Sequence, residues 1–234
     1  IEVPQGAIRL NTDSQKLEFF AQDRWYEMAT NIQTLDGGAR AIWGGGGPSP
    51  TTRIDFVTIS TAGDAIDFGD MLGNRHYMRG YGNQTRGLWG HNVQQSSEIS
   101  FITISSTGNA QDFGDFTAIC QSGCWTGNST RACAWEGQNP TTNVISFVTI
   151  ATTGNALDFG DHLQPVRHTC GVQSPTRGII PGGWSNQPSQ GNTNIIQYIT
   201  TATLGNAQDF GDVTISESIR GHAAGSNAVR GVYG

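Results

Sequence analysis

Pairs of aspartates recur four times in this chain at a fixed interval, as Asp67 and Asp70, Asp112 and Asp115, Asp158 and Asp161, and Asp209 and Asp212. Two carboxylates so placed have the chemistry to hold Ca²⁺ or to act as acid and base. A catalytic pair needs two different environments to split its pKa values. A pair repeated in equivalent surroundings is expected instead to cap backbone amides at turns. Arg40, Arg86, Arg131, Arg177 and Arg230 also repeat. Their charge suits anion recognition, but the repetition points to a scaffold role, bonding a carboxylate or carbonyl of a neighbouring unit, with the repeated aspartates as the expected partners. Cys120, Cys124, Cys133 and Cys170 have no metal-like spacing, and His76, His91, His162, His168 and His222 are scattered without a zinc or triad pattern. Cys124 and Cys133 lie symmetrically about Asn128-Ser129 and so are expected to oppose one another across a hairpin. Free, buried thiols are expected there over a disulfide, because hairpin partners often miss the required torsion.

The elements that carry these residues come from internal repetition. Ile54–Asp70 (IDFVTISTAGDAIDFGD), Ile99–Asp115, Ile145–Asp161 and Ile196–Asp212 (IQYITTATLGNAQDFGD) superpose almost residue for residue. An Arg-bearing strand recurs between them, as ARAIW, TRGLW, TRACA, TRGII and VRGVY, with arginine spacings of 46, 45, 46 and 53 residues. A period near 46 suits a four-stranded propeller blade. Gly63-Asp64, Gly108-Asn109, Gly154-Asn155 and Gly205-Asn206 read as two-residue hairpin turns, pairing Ile59 with Phe68, Ile104 with Phe113 and Ile150 with Phe159. Apolar residues of both parities, Ile54 and Phe56 against Val57 and Ile59, require both faces of the sheet to be buried. Phe68, Phe113, Phe159 and Phe210 are core residues on this reading.

The fold expected is therefore all-β, a five-bladed propeller in one domain over residues 1–234. Four blades run over about 21–70, 71–115, 116–161 and 162–212, and a fifth is shared by 1–20 and 213–234. Residues Ile219–Gly234 offer an Arg-bearing strand without its hairpin, and Ile8–Phe20 is an apolar, polar-turn, apolar hairpin. Phe20 precedes Arg40 by 20 residues, as Phe210 precedes Arg230, against 18 elsewhere. Pairing of that hairpin with the C-terminal half-blade would close the ring and remove two sheet edges.

The repeat resembles kelch-type propeller units, in which an apolar strand ends in glycines and a hairpin follows. Gly44–Gly47 and Gly182-Gly183 supply the glycines, whereas the phenylalanines stand where kelch units carry Trp, and Trp135-Glu136 interrupts one unit. The signature VTIATTGNAxDFGD is similar to repeats in structural proteins of tailed phages, especially those of marine and cyanobacterial hosts, over residues 37–234. Gly6–Met28 resembles a segment common in phage tail and fibre proteins. The resemblance implies a non-enzymatic virion component at a tail, fibre or capsid surface, in contact with other virion proteins or with copies of itself.

Composition narrows the partners. Thirteen basic and nineteen acidic side chains give a net charge of -6, and Lys16 is the one lysine, so nucleic acid is not an expected partner. Apolar runs of a few residues offer no membrane span, and the stretch that starts at Ile1 shows neither the basic nor the apolar region of a signal peptide, as is also expected where one has been removed. The Asp-Phe-Gly triplet matches the metal-binding triplet of protein kinases but ends a hairpin four times and lacks the companion motifs. No cofactor or metal is expected. Asn83-Gln-Thr and Asn128-Ser-Thr match a glycosylation sequon that is common by chance.

Recognition is sought where the units differ. Pro181–Asn194 (PGGWSNQPSQGNTN) reads as a lengthened loop in which Trp184, Asn186, Gln187, Asn192 and Asn194 suit a host-surface glycan, the indole stacking on a sugar ring and the amides bonding its hydroxyls. The alternative is that Trp184 packs over the ring end. Arg79 stands where other units have Cys124, Cys170 and Ala223 and would enter a central channel. An extracellular lectin or a filament subunit using strand exchange is the second reading. A propeller glycosidase is the third, and Glu98, Glu136 and Glu217, its unrepeated acids, offer no obvious pair.

Overall fold

A computed structural model describes residues 3–12, 16–28, 39–46, 49–75, 78–90, 96–119, 122–137, 142–186, 190–214 and 223–234. Gln187, Cys120, His76, His91, His222, Glu217 and Gly47 therefore lie outside the described residues. The chain divides into two compact units, Ile1–Thr34 and Leu35–Gly234.

In the first unit, β1 (Ile8–Asn11), β2 (Lys16–Ala21) and β3 (Arg24–Glu27) form an antiparallel sheet in that order. Gln22 and Asp23, with φ of 49° and 59°, form the two-residue turn between β2 and β3. Two successive left-handed residues give the turn whose twist matches a hairpin. Phe20 pairs with Trp25 across the strands, and the Arg9 guanidinium lies 4.1 Å from the Trp25 ring centre while bonding Glu18.

The second unit consists of sheets that repeat one plan. Sheet I holds β4 (Arg40–Gly44), β5 (Thr51–Thr58) and β6 (Ile66–Arg75). Sheet II holds β7 (Arg79–Gly82), β8 (Arg86–Gly90), β9 (Glu98–Thr103) and β10 (Gln111–Asp115). Sheet III holds β11 (Cys124–Gly127), β12 (Arg131–Trp135), β13 (Val144–Thr149) and β14 (Leu157–Asp161). Sheet IV holds β15 (Val172–Gln173), β16 (Arg177–Ser185), β17 (Gly191–Thr200) and β18 (Gln208–Asp212). A two-stranded sheet, β19 (Ala224–Ser226) with β20 (Gly231–Tyr233), follows and bonds β15 through Gln173 N–H to Ser226 Oγ, 3.1 Å.

The core lies between neighbouring sheets. Ile54, Phe56, Phe68 and Met71 of sheet I pack with Trp89, Ile102 and Ala110 on the sheet II side. Leu88, Phe101 and Phe113 meet Trp125, Val148 and Ala156 in the next cluster, and Trp135, Phe147 and Phe159 meet Ile180, Ile199 and Ala207 in the third. Both faces of the inner sheets are thus covered, which is why β9 and β13 are apolar at consecutive positions rather than alternating.

The Gly-Asn pairs are not two-residue turns. The hairpin connections are seven residues long, 59–65, 104–110, 150–156 and 201–207, so the strands end earlier than a tight turn would allow. The register shifts accordingly. Phe56 faces Ile66, Phe101 faces Gln111 and Phe147 faces Leu157, in place of the expected pairing of Ile59, Ile104 and Ile150 with the phenylalanines. Each hairpin still brings two aromatic rings edge to face, at 5.7 to 6.0 Å between centres, in Phe56–Phe68, Phe101–Phe113, Phe147–Phe159 and Tyr198–Phe210.

Gly-Asn-Ala joins sheet to sheet instead. Gly108 N–H donates to Phe68 O at 2.7 Å, Ala110 N–H donates to Asp70 O at 2.7 Å, and Asn109 Oδ1 accepts the Asp70 N–H at 3.0 Å. The joint recurs with Gly154, Asn155 and Ala156 on Phe113 and Asp115, and again with Gly205, Asn206 and Ala207 on Phe159 and Asp161. The glycine of Asp-Phe-Gly-Asp is dictated by this approach: a Cβ on Gly69, at φ +147°, would lie 2.4 Å from Gly108 O.

The arginines complete the joint. Arg40, Arg86 and Arg131 donate from Nη1 to the carbonyls of Ile104, Ile150 and Thr201 in the following sheet, at 2.7, 2.8 and 2.8 Å. Their partner is the neighbouring main chain and not the repeated aspartates, and the guanidinium lies over its own sheet's aromatic ring, 4.5 to 4.7 Å from the centres of Phe56, Phe101 and Phe147. Arg177 lies over Tyr198 in the same way. The first aspartate of each pair in sheets II to IV accepts the N–H two residues on, as in Asp112 with Gly114 at 3.0 Å.

Position in this series sets what a residue contributes. Arg131→Ala is expected to cost about 1.5–3 kcal/mol, the range for a hydrogen bond to a charged group, and Arg177→Ala under about 1 kcal/mol for loss of its stacking alone. Phe159→Ala is expected to cost about 3–5 kcal/mol, and Phe210→Ala far less, because Phe210 is 50% exposed against 2% for Phe159. Urea unfolding of the four variants checks the ranking; equal losses at equivalent positions would refute it.

Candidate functional site

Pro181–Asn194 is not a loop. Its residues through Ser185 continue β16 and those from Gly191 belong to β17, so the segment is a strand extension around a short tip. The sequence placed its glycines and asparagines in a loop because both types favour turns. Here Gly182 and Gly183, at φ +51° and +122°, mark an irregularity between Pro181 and Gly183 within a continuing pair of strands.

This extension positions four of the expected binding residues. Trp184 faces Asn192 directly across the strands, and its indole N–H donates to Asn186 Oδ1 at 3.2 Å. Trp184 is half-buried, whereas Asn186, Asn192 and Asn194 are exposed. Trp184 and Arg167 exchange main-chain hydrogen bonds of 2.9 Å in both directions, so the indole stands on a strand braced from both sides. A half-buried indole flanked by exposed amides has the chemistry of a sugar platform: an apolar face for the ring and donors and acceptors for hydroxyls.

Arg79 does not join that group. It begins β7, facing Gly90, and burial pushes the Cys170 thiol up while the charge of Arg79 opposes that rise in part. The structure thus brings Arg79 near the Cys170 position of sheet IV rather than to the Trp184 strands.

Cys124 and Cys133 are buried, are not bridged to one another and do not face each other. Cys124 faces Trp135 and Cys133 faces Thr126, because the turn is centred one residue later than its symmetry suggested. The Asn that begins each sequon explains the shift. Asn128 Oδ1 accepts the N–H groups of Thr130 and Arg131 and the Thr130 hydroxyl, and Asn83 does the same for Thr85 and Arg86. The sequons are turn caps that launch the arginine strands. Asn83 also reaches sheet III, donating to Ser129 O at 2.8 Å.

Of the unrepeated acids, Glu98 and Glu136 have different partners. Glu98 pairs with Arg75 at 3.0 Å. Glu136 is fully buried, its Oε1 accepting from Thr117 and Ser146 at 2.9 and 2.8 Å, and burial raises its pKa above the usual carboxylate value. His162 is also buried, edge-on to Trp135 at 5.1 Å between centres, and burial pushes its pKa from 6.5 down to about 4. Among the described residues no group of three His, Cys, Asp or Glu side chains is arranged to hold a metal ion. A groove of about 400 Å³ lies at sheets I and II, lined by Arg40, Ile42, Tyr81, Asn83, Leu88 and Trp89 among others. No sequence signal pointed to it, since its residues come from two repeats.

Comparison with known proteins bears on the fold. No family model matches the chain, and no curated protein matches it. A solved structure of YjhT is similar over 80% of this chain with a TM-score of 0.63 at 8% identity, and the chain spans 66% of that structure's length. At that identity the likeness supports an all-β, β-propeller-like arrangement of antiparallel sheets.

His162 carries a pH prediction whose sign follows from its depressed value. The unfolded chain takes up the proton near pH 6.5 and the folded chain near pH 4, so stability contributed by neutral His162 is full above pH 6.5 and is lost as pH falls towards 4, by about 1.4 kcal/mol per unit. Glu136 acts oppositely, its raised value removing stability as pH rises above the usual carboxylate range. His162→Leu should therefore flatten the acid side of a plot of Tm against pH; an unchanged slope between pH 6.5 and 4 would refute the assignment.

Proposed function

We propose that this chain is a non-enzymatic structural or host-recognition component of a phage virion, at a tail, fibre or capsid surface, that works through contacts with other proteins or copies of itself and through a glycan bound at Trp184. The observation that carries the reading is the use of the repeated residues. The Gly-Asn-Ala and Phe-Gly-Asp segments, and arginines 40, 86 and 131, are spent on sheet-to-sheet joints and turn caps. That is the economy of a scaffold, in which the groups able to do acid-base chemistry are committed to holding the frame. The virion setting rests on the resemblance of the VTIATTGNAxDFGD repeat to phage structural proteins.

A finer architecture goes with this function: a five-position, kelch-like propeller. Sheets I to IV fill four positions, and β19–β20, bonded to β15, begin the fifth. Strands from elsewhere complete it, the hairpin Ile8–Phe20 being the candidate that the sequence offers, from the same chain or a neighbour.

An extracellular lectin is the second reading, favoured by the pairing of Trp184 with Asn192 and Asn186. It shares the glycan site and differs in location. Antibodies against the chain, applied to intact phage particles in electron micrographs, test the first reading. Regular labelling of one part of the particle is expected; particles that remain bare while the free protein is recovered from the medium would overturn it. On a glycan array, Trp184→Ala should abolish binding with its Tm within a degree or two of the parent.

A further inference from the structure

The joint that links successive sheets has two halves, and the chain carries one unmatched copy of each. The donor half is Gly-Asn-Ala with the carbonyl that closes the preceding strand. In sheets II, III and IV it is covered: Ala110, Ala156 and Ala207 are buried, and Ile104, Ile150 and Thr201 are 8%, 0% and 0% exposed. In sheet I the counterparts are open. Ala65 is exposed and Ile59 is 63% exposed. Trp43 is open on the same sheet, at 56%, where its counterparts Trp89 and Ala134 are buried.

The acceptor half is Phe-Gly-Asp with the stacked arginine. Phe68, Phe113 and Phe159 are each 2% exposed under the incoming Gly-Asn-Ala, whereas Phe210 of sheet IV is 50% exposed. A Cβ on Gly211 would meet nothing within 4 Å, against 2.4 to 2.5 Å at Gly69, Gly114 and Gly160. Among the described residues, no neighbouring sheet donates to the Phe210 and Asp212 carbonyls, and Arg177 has no carbonyl of a following sheet.

Resting on the reading of this chain as an assembly protein, we infer that a second copy fills the open acceptor half. Gly63 and Ala65 of the second copy donate to Phe210 O and Asp212 O of the first, Asp64 accepts the Asp212 N–H, and Arg177 donates to the Ile59 carbonyl. Each of these bonds has three precedents within the chain. The partly built sheets fit the same junction. β20, which follows Arg230, is the counterpart of β4, and β5 already has β6 on its other edge, so β20 takes β5 of the incoming copy in exchange for that copy's β4, while β19 adds the first strand, which the described residues of sheet I lack. The copies are joined head to tail, a heterologous contact that builds a filament or a larger ring.

The N-terminal hairpin is a poorer occupant. Residues 12–15 connect β1 and β2 without a Gly-Asn-Ala, and the Phe20 carbonyl, the counterpart of the acceptor in each joint, already takes the Gly6 N–H at 2.8 Å. It therefore lacks both halves of the joint.

Ala65→Glu blocks one half and Phe210→Glu the other, both at exposed positions. Light scattering coupled to size exclusion should give a parent mass that rises with concentration, while each variant stays monomeric with an unchanged circular dichroism spectrum. An equal mixture of the two variants retains one intact junction and should form a one-to-one dimer and nothing larger. Arg177→Glu replaces Phe210→Glu as the acceptor-side block if the latter loses its spectrum. A parent that is monomeric at every concentration overturns the inference and is what closure within one chain would give. Association that survives both substitutions also overturns it. Particle labelling is independent of these outcomes, so bare particles with intact association would refute the virion setting and leave the junction standing.

Discussion

The structure of residues 35–234 depends on one set of hydrogen bonds, the main-chain contacts of Gly-Asn-Ala with the Phe-Gly-Asp of the sheet before it. A sheet hairpin buries little on its own, and sheets that must cover both faces need neighbours held at a fixed distance. The joint supplies that distance. It brings two backbones together so closely that a side chain on Gly69, Gly114 or Gly160 would overlap the next sheet. The phenylalanine between them is sealed as a result, and the arginine stacked on its partner ring is left with one free edge, which it spends on the next sheet's carbonyl. Remove the glycine, and the aromatic pair and the arginine lose their reason for being where they are.

Repetition made much of this legible. Near-identity of four segments fixed the number of equivalent hairpins, the all-β class and the assignment of Phe68, Phe113 and Phe159 to the core. What did not come through was the role of Gly-Asn. A glycine with positive φ followed by an asparagine acceptor is the composition of a hairpin turn and equally of a close main-chain docking. Strand alternation cannot separate the two, because the partner is some forty residues away. A clue was present in the other glycine: Asp-Phe-Gly-Asp has no turn to make, so its invariance within the chain called for a close neighbour. The arginines were misassigned to aspartates for a similar reason, since opposite charge suggested a partner where Arg40, Arg86 and Arg131 in fact take a neighbouring main-chain carbonyl.

The candidate binding residues were legible in kind and less so in form. Trp184 and its asparagines stood out because they are unrepeated, and the structure groups Trp184, Asn186 and Asn192. Their setting was misread because Gly182-Gly183 signals a loop and in fact bends a strand pair. That difference favours recognition, since an indole fixed on paired strands loses less freedom on binding than one on a loop. The groove lined by Tyr81, Trp89 and Arg40 could not be found from sequence, because it is made by two repeats meeting rather than by any one of them.

The joint is written almost wholly in backbone atoms, with an asparagine amide as its one side-chain acceptor, and this has a bearing on how such a chain changes over time. An interface made of side chains must be redesigned whenever its partner is replaced. One made of peptide groups is the same at every position in the series. A whole repeat of some 46 residues can then be duplicated or lost by recombination without any compensating substitution. Length becomes the easily varied property, and the exposed surface of each repeat is free to diversify behind a junction that does not read it.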